Sequence, residues 1–151
     1  MMQTAPFDER LTTAVADADS MRYYPAFALP GRSGLPEPAP VTTEWGMQLL
    51  VVQRASGGLT IGDTHVYDEP FDFAVDEHTY DDLQTRAELV LGRPLPPVVR
   101  RWAGVYSAVT DDRLYYRHSP DPAVVLVTGA AGRGMTLSPA IAGQTWEGLI
   151  S

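Results

Sequence analysis

Two stretches of this chain combine chemistry-bearing residue types with a suggestive spacing. Residues 124–142 read as an apolar strand, a loop Gly129-Ala130-Ala131-Gly132-Arg133-Gly134, then Met135 and Thr136 ahead of a helix opened by Ser138-Pro139. Glycines allow positive φ and close backbone approach, while the free N–H groups and dipole of a helix start favour negative charge. That layout suits the electron-rich edge of a ligand. It also suits a tight turn that only packs a helix on a strand. No Gly-Lys-Ser/Thr follows the loop, and glycines at 129, 132 and 134 do not make Gly-x-Gly-x-x-Gly, so neither a P-loop nor a dinucleotide fingerprint is present. The second stretch is Gly62-Asp63-Thr64-His65-Val66-Tyr67. On an extended chain Asp63, His65 and Tyr67 share one face. There His65 could orient an amine or bind an acidic group, with Tyr67 as hydrogen-bond donor and Asp63 orienting its neighbours. An ordinary solvent-facing strand end fits the same residues.

Other polar and aromatic residues carry weaker signals. Trp102, Tyr106, Tyr115, Tyr116 and His118 fall on neighbouring strand candidates and could wall a pocket, though core packing explains most of them as well. Arg54, Arg101, Arg117 and Arg133 could clamp a tetrahedral oxyanion, since guanidinium forks match that geometry; a surface arginine is the commoner role. Asp72, Asp76, Glu77, Asp81 and Asp82 form an acidic run at the start of a helix, where carboxylates complement the dipole. Histidines 65, 78 and 118 lack metal-ligand spacing, so no metal is expected.

The elements that must position these residues follow from pattern. Residues 12–21 fit a short helix or loop, and residues 21–29 an edge strand interrupted by Pro25. The breakers of residues 30–40 imply a loop. Residues 45–53 and 59–66, joined by a turn at 55–58, resemble a hairpin. Tyr80, Leu83, Ala87, Val90 and Leu91 have helical spacing over residues 77–91, with Gly92 and Pro94 as stop signals. Residues 98–109, 114–118 and 124–128 are further strands, and a last helix is expected from Ser138 to about Leu149 with Pro139 at its first position. The fold class is therefore α+β: a mixed, mainly antiparallel sheet of about six strands with a central helix and a C-terminal helix.

Composition bounds the function classes. The 151 residues suit one domain, and a 44% hydrophobic fraction with 20% charge is ordinary for a globular chain. A net charge of −8 opposes nucleic-acid binding. The absence of cysteine removes disulfides and thiolate chemistry. No run approaches the ~18 apolar residues of a membrane span, residues 1–10 hold no apolar run of signal-peptide length, and a cytoplasmic location is expected.

The segment Val127-Thr128-Gly129-Ala130-Ala131-Gly132-Arg133-Gly134-Met135-Thr136-Leu137-Ser138-Pro139-Ala140 resembles the C-terminal flavin-contacting segment of the D-amino-acid oxidase superfamily, which includes glycine and sarcosine oxidases. Thr4-Ala5-Pro6, Tyr23-Tyr24-Pro25-Ala26-Phe27, Gln53-Arg54, Ile61-Gly62-Asp63-Thr64-His65-Val66-Tyr67 and Arg101-Trp102-Ala103-Gly104-Val105-Tyr106 resemble a branch linked by analogy to aminophosphonate oxidation. The resemblance implies FAD as cofactor and a fold like that family's substrate domain. It implies that Gly129, Gly132, Arg133, Gly134, Met135 and Thr136 contact the flavin, with His65, Tyr67 and Tyr106 on the substrate side. The implied reaction passes a hydride from the carbon bearing an amine to the flavin. Val105-Tyr106 stands where many relatives carry a carboxylate-binding arginine. The family's nucleotide fingerprint is absent, so residues 1–151 are expected to form one substrate-side domain, a fragment inactive alone. A Rossmann-domain chain would complete it, and without that cover self-association is expected. The alternative is a non-catalytic remnant, or a partner subunit of a split flavoprotein, that binds another chain or a small anion.

Overall fold

The structure, a computed structural model, describes residues 1–24, 27–30, 34–67, 74 and 76–150, the side chain of Ile150 excepted. It forms two compact units, Met1–Ala103 and Gly104–Ser151.

The first unit is built on a five-stranded sheet in the order β2-β3-β4-β1-β5. Its strands are β1 (Met2–Pro6), β2 (Val15–Ala16), β3 (Leu50–Gln53), β4 (Gly58–Gly62) and β5 (Val98–Arg101), and every pairing is antiparallel. β3 and β4 form the expected hairpin, with Leu50 opposite Gly62 and Gln53 opposite Leu59. Its turn closes through Gly57 at φ +90°, a conformation that glycine adopts without strain. β3 starts later than the apolar run implies, because Trp45 ends a short helix, α2 (Pro40–Glu44), instead of opening a strand. The pairing nonetheless continues past Leu50: the Gln48 N–H donates to the Asp63 carbonyl at 3.0 Å and the Asp63 N–H donates back at 2.8 Å.

The edge strand expected over residues 21–29 is replaced by helix over its first part; Pro25 and Ala26 lie outside the described residues. Helix α1 (Ala18–Tyr23) starts on Asp17, whose side chain accepts the N–H groups of Asp19 and Ser20 at 3.1 and 3.2 Å. An N-cap of this kind outweighs the strand preference of the aromatic residues that follow. Asp17 also accepts the Leu49 N–H at 3.3 Å, and Arg86 reaches both Asp17 (3.4 Å) and Asp19 (2.8 Å) while donating to Thr42. One ion cluster thus joins α1, α2, the approach to β3 and the next helix. That helix, α3 (Glu77–Leu91), has the expected bounds. It buries Thr79, Tyr80, Leu83 and Ala87 and ends at Gly92 in the left-handed region, φ +69°. Of the acidic run, Asp76 caps α3 and Glu77 opens it, whereas Asp72 lies outside the described residues.

Among the described residues the core comprises Met2, Phe7, Met47, Leu49, Val51, Leu59, Ile61, Tyr80, Leu83 and Ala87, all in this unit. Each large apolar side chain so buried contributes roughly 1.5–3 kcal/mol.

The second unit pairs β6 (Tyr116–Asp121) with β7 (Val124–Thr128) antiparallel, followed by a single 3-10 turn at Ala131–Arg133 and α4 (Gly134–Ile150). The turn expected over residues 119–122 falls later, because β6 runs to Asp121, whose carboxylate accepts the Ala123 N–H at 3.0 Å. The strand expected over 98–109 is broken after Arg101 and resumes only as an isolated bridge between Ala108 and Ala130. The last helix starts four residues before Ser138, so Pro139 sits inside it and not at its first position. A proline there leaves the Met135 carbonyl without its helical donor. The Ser138 hydroxyl donates to that carbonyl at 2.9 Å instead, which is why the helix passes through the proline.

Candidate functional site

Each unit holds part of the expected site. In the first, β4 ends at Gly62, so residues 63–67 are not strand, yet they keep Asp63, His65 and Tyr67 together. His65 is anchored by its N–H, donated to the Trp45 carbonyl at 2.8 Å. Its Nδ1 lies 3.0 Å from the Gly46 carbonyl and its Nε2 lies 3.4 Å from Asp63 Oδ2. The His65 and Tyr67 rings are nearly parallel, 14° apart with centroids at 6.3 Å. Tyr23, at the end of α1, stacks on His65 at 4.7 Å, and its phenol oxygen stands 3.3 Å from that of Tyr67. Sequence reasoning did not place Tyr23 or Gly46 in this cluster. Gly46 offered a signal, since a lone glycine in an apolar run often marks close backbone approach. It adopts φ +50°, and a Cβ there would lie 3.4 Å from that of His65.

In the second unit the glycine loop is clasped by residues 106–109. The Ala131 N–H donates to the Ser107 carbonyl at 3.1 Å and the Val109 N–H to the Gly129 carbonyl at 3.1 Å. Gly129 is at φ +76°, and a Cβ there would meet Val109 Cγ1 at 2.9 Å, so this position requires glycine. Gly132 lies against Tyr106, whose hydroxyl would be 3.3 Å from an added Cβ. The Gly134 N–H is taken by the Ala131 carbonyl. Met135 and Thr136 stand in the first turn of α4, where backbone N–H groups have no acceptor within the helix. Met135 is 90% exposed.

The arginines separate by their partners. Arg54 donates to Thr60 Oγ1 at 2.8 Å, Arg101 faces Glu77 at 3.2 Å, and Arg117 donates to the Ile141 carbonyl and Thr145. Among the described residues the exposed Arg133 guanidinium has no such protein partner. Of the expected aromatic wall, Tyr115 donates to Gln144 of α4 at 2.5 Å in the second unit, and Trp102 belongs to the first unit.

Residues 20–146, more than four fifths of the chain, match the family described as FAD dependent oxidoreductase. The chain belongs to that family. No curated protein and no solved structure matches it. For an FAD-dependent oxidoreductase the loop is chemically apt. A glycine at 132 leaves room where a side chain would press on Tyr106, while Arg133 and the first-turn N–H groups offer donors to an electron-rich ring edge. The residues present fit the cofactor. No helix among the described residues is long and apolar enough to cross a membrane.

Proposed function

We propose that this chain supplies the substrate-side part of an enzyme oxidising a small amine, amino acid or aminophosphonate. The observation that carries the reading is the FAD-dependent oxidoreductase match extending through the glycine loop and the first turn of α4. Gly129 and Gly132 shape the loop, and Arg133, Met135 and Thr136 face the cofactor, Gly134 setting the helix start. Bound FAD supplies the two-electron acceptor for the carbon bearing the amine. Tyr67 and Tyr106, with His65, serve the substrate side. Their work is alignment and exclusion of water, since a neutral amine held in the right geometry needs no protein base.

A second reading concerns partners. β7 and α4 expose Val124, Leu126, Val127, Met135, Trp146 and Leu149, and a groove of about 500 Å³ runs along Val127, Ile141, Ala142, Trp146 and Leu149. An apolar face of this kind supports coverage by a nucleotide-binding chain or a second copy.

The test is a visible spectrum of the purified chain after incubation with FAD and removal of excess, alone and mixed with a nucleotide-binding domain of the same family. Retained flavin absorbance is expected in at least the mixture, and Gly132→Val should weaken retention by ~10-fold or more through overpacking against Tyr106. A folded chain that holds no flavin under either condition leaves the non-catalytic partner reading in its place.

A further inference from the structure

The ring of His65 is more fully engaged by the protein than a substrate-binding imidazole should be. Its side chain is only 9% exposed, against 71% for the Tyr67 residue beside it. A carbonyl oxygen only accepts, so Nδ1 carries a proton and donates it to Gly46. Nε2 lies 3.4 Å from the Asp63 Oδ2 carboxylate oxygen, within ion-pair distance. One edge of the ring is thus bonded to Gly46, the other faces Asp63, and Tyr23 covers one face at 4.7 Å. What the cluster turns outward is phenol: Tyr67, and Tyr23 with its oxygen 3.3 Å away.

We infer that His65 is a positioning residue, pinned by Gly46 and Asp63 so that it sets the Tyr23–Tyr67 phenol pair, and that this pair, not the imidazole, meets the amine-bearing substrate. The substrate half of this statement rests on the function proposed above. The placement of protons and rings does not. Asp63 is the second positioning residue: its Oδ2 faces Nε2 at 3.4 Å, and its backbone is held in turn by the paired bonds to Gln48. Tyr23 joins the site from 44 positions away in sequence.

The experiment is side-chain NMR on the full chain, without flavin, with isotope-labelled histidine and tyrosine. His65 should show a slowly exchanging proton on Nδ1. Asp63→Asn should keep that proton and shift the Nε2 signal, because the carboxylate that faces it is gone. In His65→Gln the Tyr67 ring signals should move toward those of free tyrosine. Methylammonium, used as the amine probe at tens of millimolar, should shift the Tyr23 and Tyr67 ring signals more than the His65 nitrogens. A bare Nδ1 in the native chain overturns the positioning role, and that reading stands even if His65→Gln does not fold. Unmoved Tyr67 signals in a folded His65→Gln chain overturn it as well. Probe shifts led by His65, or none at all, overturn the phenol assignment. Flavin retention enters none of these readouts, so a failure here is separable from a failure of the oxidoreductase reading.

Discussion

The two units solve the problem of apolar surface in opposite ways. Among its described residues Met1–Ala103 buries ten hydrophobic side chains in one cluster. In Gly104–Ser151, Gly129 is the one buried residue among those described, while Trp146 is 64% exposed and Leu149 54%. The first unit has the means of holding its own shape. The second is held by hydrogen bonds of backbone and side chain, such as Arg117 to Thr145 at 2.8 Å, and presents its apolar residues outward. In this chain the elements expected at the cofactor are the ones with the least core beneath them.

The contrast can be broken by mutation. Leu59→Ala, in the fully buried centre of the first unit, should cost ~2–5 kcal/mol in denaturant unfolding, because the transfer loss adds to a cavity. Asp17→Ala removes an N-cap that also receives Leu49 and Arg86, and should cost ~1–3 kcal/mol by the same measurement. Gly92→Ala, at φ +69° but with open space around it, should cost only ~1 kcal/mol. A pH series sharpens the same side. Burial, ahead of the opposing Arg101 charge, raises the Tyr80 pKa above its ordinary 10.0. The folded chain then keeps a proton that the unfolded chain releases first, so this contribution is complete below pH 10.0 and declines as pH rises beyond it. Tyr80→Phe should flatten that decline in plots of denaturation midpoint against pH. The smallest effect is expected in the second unit: Trp146→Ser should change unfolding free energy by within ~0.5 kcal/mol, and sedimentation of the native and variant chains tests the self-association proposed for this face. A loss as large as that of Leu59→Ala would show that Trp146 is covered, and the contrast between the units would fall.

Much of the fold was legible wherever local periodicity and stop signals agreed. Helix α3 could be read residue by residue because Leu83 and Ala87 face the sheet and Gly92 ends the helix, and β7 because Val124–Thr128 is bounded by a turn and a glycine. Two rules misled. Ser-Pro normally opens a helix, but here the Ser138 hydroxyl replaces the missing proline donor and the helix begins at Gly134. Aromatic residues favour strands, but the Asp17 cap set Met21 and Tyr23 in α1. The neighbours of the glycine loop, Tyr106 and Val109, and the Tyr23 contact with His65 depend on long-range packing that no spacing records. For Gly134 the glycine was visible in sequence, but not that its N–H is already bonded to Ala131.

The cluster of Asp17, Asp19, Thr42 and Arg86 bears on more than stability. It fixes the helix whose last residue, Tyr23, lies on His65, and it does so through an arginine from the middle of α3. A change at position 86 would therefore reach the aromatic cluster as a tilt of one phenol relative to the other. Selection acting on ligand preference could work on that remote arginine, leaving every residue of the cluster itself untouched.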